Sequence, residues 1–146
     1  MRLSEREADL IRASFRAIAA DAPNAAGAFY GHLFEIAPHT RRMFVKDVNR
    51  QGAKLVATLG FVVAEMDAWV NVAPLVEELA LRHLAYGVLP DDYRLVGLAL
   101  QAMLSATLGS ACTSETSAAW ARLYDALQSQ MTAAAYDLPA LHHSSG

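Results

Sequence analysis

From Ser4 to Tyr136 the apolar residues recur at intervals of three and four, and no stretch of any length alternates with period two. A side chain returns to the same face of an α-helix every 3.6 residues. This spacing therefore confines the chain to amphipathic helices packed on one another. Even Val62-Val63, a pair that would suit a strand, sits inside a helical period. The predicted fold is all-α, with six main helices and one short one.

The breaks between helices carry their own chemistry. Ser4-Glu5-Arg6-Glu7 is a capping box, with Ser4 as N-cap and Glu7 three residues on. The first helix then runs to about Ala20, with Ile11, Phe15 and Ile18 inward. Asp21-Ala22-Pro23 ends it and starts a second helix to about Ile36, carrying Phe29, Tyr30, Leu33 and Phe34 inward. Ala37-Pro38 is a boundary, because a residue before proline avoids helical geometry. A short helical turn from Pro38 to Arg42 leads to Met43-Phe44. Val45 to Asn49 is a brief connection, followed by a long helix from about Asn49 to Asp67 with Gln51, Leu55, Leu59, Val62 and Met66 on one face.

Val72-Ala73-Pro74 is expected to open the next helix. Its inner face is Val76, Leu79, Ala80, His83 and Leu84, and Gly87 ends it. Pro90-Asp91-Asp92 begins another, with proline and two acids where the helix dipole favours them. Its inner face is Tyr93, Val96, Gly97, Leu100, Leu104 and Thr107. After a turn from Gly109 to Thr113, the last helix runs from Thr113 or Ser114 to about Tyr136, with Trp120, Leu123, Tyr124, Leu127 and Met131 inward.

A chain of 146 residues suits one domain and buries roughly 70% of its unfolded surface. It is divided as a folded domain over 1–137 and a flexible tail over 138–146. Adjacent His142 and His143 in that polar tail are expected to be solvated or vector-derived, not a metal site. Apolar residues are 54% and charged residues 18%, a globular balance. The net charge of −3, with no basic stripe, argues against nucleic acid and anionic membrane as partners. The single cysteine, Cys112, excludes an intrachain disulfide and a thiolate cluster and fits a reducing compartment. The charged N-terminus lacks the apolar core of a signal peptide, and no run approaches the ~18 apolar residues of a membrane span. A soluble cytoplasmic protein is expected.

His83 is the one polar residue on the inner face of its helix. An inward histidine just before a helix-ending glycine reads in two ways: a hydrogen-bonded core residue, or a ligand to something held inside the protein.

Three further stretches decide how it is read. Ala28-Phe29-Tyr30-Gly31-His32-Leu33-Phe34, followed by Pro38 and Phe44, resembles the second helix and following corner of bacterial globins. Arg82-His83-Leu84-Ala85-Tyr86-Gly87-Val88, followed by Pro90-Asp91-Asp92-Tyr93-Arg94-Leu95-Val96-Gly97, resembles their proximal helix and the next one. Ala119-Trp120-Ala121-Arg122-Leu123-Tyr124 is similar to their last helix. The likeness spans roughly residues 4 to 136, in order. It points to single-domain bacterial haemoglobins and the globin domain of flavohaemoglobins.

The resemblance implies a globin fold around haem b, iron protoporphyrin IX, between the helix of Gln51 and the helix of His83. His83 is similar to the proximal iron ligand. Its second ring nitrogen is then expected to donate to a backbone carbonyl or a carboxylate. Phe44 matches the phenylalanine that stacks on the haem edge. Leu79, Arg82, Val88 and Tyr93 are implied haem contacts on the proximal side. Lys54 is either solvated or a contact to a haem propionate.

Two polar residues lie on otherwise apolar faces and match the family's distal positions. Tyr30 is either a ligand-stabilising donor or a buried tyrosine bonded to a backbone carbonyl. Gln51 is either a second donor or a surface residue at the start of its helix. Leu55 would close the pocket. Dioxygen on ferrous haem carries partial negative charge on its outer atom, which a hydroxyl or an amide can stabilise. Neither distal residue is a histidine, so a pentacoordinate iron is expected.

The family supports two chemistries: reversible binding of dioxygen, with carbon monoxide and nitric oxide as further ligands, and oxidation of nitric oxide to nitrate. The second needs an electron. The sequence holds no Gly-rich phosphate loop and no fused reductase, so turnover is expected to require a separate one. Flavohaemoglobins also buttress the proximal histidine with a tyrosine and a late glutamate. Tyr93 matches the tyrosine, but no acid occurs from Ala126 to Tyr136, and Asp137 lies just beyond. Weaker electron push than in the enzymes is implied. A haemless helical sensor or interaction module is the third possibility, and the joint presence of His83, Phe44 and Tyr30 argues against it. Monomer and homodimer both fit the surface pattern.

Overall fold

The structure is a computed structural model that describes residues 3–44 and 48–137. The first helix, α1 (Glu5–Ala20), starts as expected. The Glu7 amide donates to Ser4 Oγ at 3.1 Å and the Ser4 amide donates to Glu7 Oε1 at 2.9 Å. Helix α2 (Ala22–Ile36) has proline in its first turn. A 3₁₀ turn (Pro38–Met43) then swings the chain to Phe44. Of the expected connection Val45–Asn49, residues 45–47 lie outside the described part, and Val48 and Asn49 already belong to α3 (Val48–Glu65). The tail with His142 and His143 also lies outside the described residues.

Helix α4 (Trp69–Ala85) corrects one expectation. It opens at Trp69, not at Val72-Ala73-Pro74, and Pro74 lies inside it. Proline inside a helix removes the amide that would bond the carbonyl four residues earlier. Here that residue is Val70, which is 78% exposed, so water can take the missing bond. Leu84, assigned to the inner face, is exposed. The end of α4 is a Schellman turn. Gly87 takes φ +87°, its amide donates to the Leu84 carbonyl, and the Val88 amide donates to the His83 carbonyl at 3.0 Å. Few side chains tolerate that backbone region, so glycine fixes where the helix stops.

Pro90 opens α5 (Pro90–Leu108), and a short 3₁₀ turn (Gly109–Ala111) leads to α6 (Ser114–Thr132), capped by Thr113. A wider π-helical turn (Ala133–Asp137) follows. Among the described residues there is no strand, and no described helix is long and apolar enough to cross a membrane.

A main core joins the helices, with a small second cluster of Ala80, Ala134 and Ala135. Ile11, Ile18, Met103, Leu104, Trp120 and Leu123 are fully buried in the main core. Trp120 Nε1 donates to Ser14 Oγ at 2.7 Å, which ties α6 to α1 inside the core. Helix α2 lies along α5 and α3, while α4 packs on α6 and the final turn and meets α3 near their joint. Helix α4 makes no close backbone approach to α2. The His83 end of α4 therefore stands away from α2, and the two helices frame the candidate site.

Candidate functional site

On the α4 side, His83 is half-buried and its Nδ1 is buried without a hydrogen-bond partner. Burial lowers its pKa, so the ring is held neutral with a lone pair available. The expected acceptor for its second nitrogen is not there. Ala80, one turn before His83, packs against Ala134 and Ala135 of the final turn, and none of these side chains can accept a hydrogen bond. The Tyr93 ring lies 6.2 Å from the His83 ring, at 65°. Its hydroxyl is likewise buried and unpartnered, and burial, with Tyr136 adding to it, pushes its pKa up to about 12. No described carboxylate bonds either polar atom, in keeping with the run Ala126–Tyr136, which holds no acid. The side chain of Asp137 lies outside the described part.

Leu79 and Val88 are half-buried on either side of His83. Arg82 points outward and pairs with Glu78 at 2.6 Å. The turn after α4 is held twice: the Val88 amide bonds the His83 carbonyl, and the Val88 carbonyl accepts from the Tyr136 hydroxyl at 2.7 Å.

On the α2 side, Tyr30 is only 6% exposed. Its ring contacts Phe29, Phe34 and Phe44, with centroids at 5.1, 5.8 and 5.0 Å. Its hydroxyl bonds no backbone carbonyl and no other group among the described residues. Burial pushes its pKa up to about 12, so the proton stays on the oxygen. Phe44, delivered by the 3₁₀ turn, packs its ring edge-on against Phe34 at 5.5 Å and is itself half-buried. Helix α3 approaches Tyr30 through Gly52. A Cβ there would stand 2.7 Å from the Ala26 Cβ and 3.7 Å from Tyr30 Cε2. Gln51 and Leu55, which flank this contact, are half-buried, and Lys54 is exposed.

Sequence reasoning missed the brace between the two sides. Asp92 is 4% exposed; one carboxylate oxygen accepts from the Leu89 amide at 2.9 Å, and the other lies 2.7 Å from His39 Nε2. His39 belongs to the turn that carries Phe44, and Asp92 to the helix that carries Tyr93. Partners 53 positions apart leave no local signal.

A family model described as Globin matches residues 27–131. The chain is 28% identical over 116 residues to a flavohemoprotein of Rhodopirellula baltica, covering 77% of this chain and 28% of that protein. It is 29% identical over 129 residues to flavohemoprotein A of Dictyostelium discoideum, covering 85% of this chain and 32% of that one. The chain thus spans about a third of the length of these relatives. With neuroglobin of Tetraodon nigroviridis it shares 23% identity over 145 residues, 90% of this chain and 91% of that protein. Among solved structures it resembles an engineered carbene transferase named for a nitric oxide dioxygenase of Rhodothermus marinus. The TM-score is 0.85 at 27% identity, covering 97% of this chain and 99% of that one.

Proposed function

Since the chain belongs to the globin family, we propose that it is a haem protein that binds dioxygen reversibly, and carbon monoxide and nitric oxide at the same place. The observation that carries this is a neutral, half-buried imidazole on α4, His83, and on α2 the Tyr30 hydroxyl, which bonds no described residue. They belong to two helices that do not pack together. A ring nitrogen with a lone pair can hold a metal and a protonated hydroxyl can donate, so the two suit a group held between those helices.

Haem b, when bound, supplies an iron with one open position for a diatomic gas. His83 holds the iron through its ring, and burial keeps that ring neutral. Tyr30 keeps its proton and donates it in a hydrogen bond to the outer atom of the gas. Gln51 supplies a second donor, and Leu55 excludes water. Phe44 would hold the cofactor edge, Lys54 would meet a propionate, Leu79, Val88 and Tyr93 would line the proximal side, and Arg82, paired outward with Glu78, would serve at its rim. We place this role, in storage, delivery or scavenging of dioxygen, in the reducing cytoplasm.

A second role, oxidation of nitric oxide with electrons from a separate reductase, is favoured by the name of the Rhodothermus marinus structure. Against it weighs that neither His83 Nδ1 nor the Tyr93 hydroxyl has a hydrogen-bond partner among the described residues, so no described acceptor strengthens the ligand field of the histidine. Absorption spectra of ferric, ferrous, dioxygen-exposed and carbon monoxide-exposed protein test the main reading. A strong Soret band with a reversible response to dioxygen, lost in His83→Ala, is expected. A protein that stays colourless after haem is added overturns it.

A further inference from the structure

Positions 41–54 hold five of the twelve basic residues and one of the fifteen acidic residues, while the rest of the chain holds seven basic and fourteen acidic. The pairing differs as sharply. Outside this stretch five of the six described arginines, Arg6, Arg12, Arg82, Arg94 and Arg122, lie in an ion pair with a carboxylate, Arg16 being the exception. Within it Arg41, Arg42, Arg50 and Lys54 are exposed, and among the described residues none of them makes an ion pair.

These cations border the proposed gas side of the site. The Arg41 guanidinium lies 5.1 Å over the Phe34 ring, which packs on Phe44 and Tyr30. Arg50 stands in the first turn of α3, next to the half-buried Gln51 and two positions before Gly52, which packs against Ala26 beside Tyr30. Arg41 thus lies on the aromatic cluster, and Arg50 belongs to the helix whose Gly52 packs beside it.

We propose that Arg41, Arg42 and Arg50 form a docking face for a small acidic electron-carrier protein. The proposal rests on the haem reading above. One electron passes from the reduced flavin or iron–sulfur centre of the carrier to the ferric iron, leaving the carrier oxidised and the iron ferrous. No proton or bond is exchanged. A compact acidic protein suits this face better than a membrane or a nucleic acid. A local cationic face steers a small partner, whereas an extended polyanion would also meet the acidic remainder of the chain.

The test uses the haem-loaded ferric protein and a reduced plant-type two-iron ferredoxin, an acidic carrier, as the probe. Reduction should slow at least tenfold as ionic strength rises from about 0.01 to about 1 M, where the screening length falls from ~30 to ~3 Å. The triple variant Arg41→Glu/Arg42→Glu/Arg50→Glu should be at least tenfold slower at low salt, within the range expected of electrostatic steering. Its reduction by neutral photoreduced lumiflavin should match the parent. The milder Arg41→Gln/Arg42→Gln/Arg50→Gln should fall between. Anisotropy of labelled ferredoxin should report binding at least tenfold weaker for the charge-reversed protein, with or without haem. Equal rates and equal binding for parent and variant overturn the proposal. So does parent binding to phosphatidylserine vesicles or duplex DNA as tightly as to ferredoxin. If the protein takes up no haem, the spectrum shows it, the haem reading falls, and the anisotropy alone decides the docking face.

Discussion

The Tyr136 hydroxyl donates to the carbonyl of Val88 at 2.7 Å, across 48 positions of sequence. Val88 is the residue whose amide closes α4 on the His83 carbonyl, so the last described turn braces the turn that sets His83. Tyr136→Phe removes the donor and leaves a half-buried carbonyl. A loss of about 0.5–1.5 kcal/mol is expected. Amide hydrogen exchange at Gly87 and Val88 should accelerate together with it. Exchange unchanged at both amides would show that the brace holds nothing.

Ser14 and Trp120 make a second long-range bond, inside the core. The indole N–H has no other partner, and Trp120 is fully buried. Ser14→Ala should therefore cost about 1–3 kcal/mol, the penalty of an unsatisfied buried donor, read as a lower urea midpoint with an unchanged slope. In a Trp120→Phe background the same substitution should cost much less. Equal costs in the two backgrounds would contradict the assignment.

Gly52 lets α3 close on α2 beside Tyr30. In Gly52→Ala the new methyl would stand 2.7 Å from the Ala26 Cβ, which no rotamer change relieves. The helices must separate, at a cost of about 1–3 kcal/mol. Because Tyr30 lies at the same contact, the carbon monoxide spectrum and rebinding rate of the haem-loaded variant should change as well. A destabilised protein with unaltered rebinding would separate the packing role from the site.

Helix number, most of the inner faces and the cap at Ser4 were legible because each depends on residues within one or two turns. The same locality explains the error at Pro74. A proline preceded by Val72-Ala73 looks like a first-turn residue, and only the exposure of Val70 shows that the helix tolerates it farther in. His83 and Tyr30 stood out as polar residues on apolar faces. What surrounds them did not. The unpartnered state of His83 Nδ1, the brace from Tyr136 and the His39–Asp92 link all depend on which helices meet, and that is a property of the packed core.

Burial raises the pKa of Tyr30 and Tyr93 to about 12, and that of Tyr124 higher still. An unfolded tyrosine ionises near 10. Between these values the unfolded chain releases protons that the folded chain keeps, so folding stability falls as pH rises. Full stability is expected below about pH 10, with progressive loss above it. Phenolate absorbance of these three residues should appear together with loss of helical circular dichroism, not before it. Their ionisation in a fully helical protein would mean that the rings are more accessible than their packing implies.

Tyr30→Phe isolates the distal hydroxyl from the ring that carries it. The ring contacts to Phe29, Phe34 and Phe44 survive, and no hydrogen bond to a described residue is lost, so the apoprotein should keep its stability to within about 0.5 kcal/mol. In the haem-loaded protein the outcome should differ. A hydrogen bond to a partly charged acceptor in a dry pocket contributes on the order of 1.5–3 kcal/mol, which predicts dioxygen release faster by about tenfold or more. Carbon monoxide, which carries less charge, should be released at nearly the parent rate. Stopped-flow release of both gases makes the comparison within one variant. If dioxygen and carbon monoxide respond alike, the hydroxyl acts through pocket shape and the donor role of Tyr30 is wrong.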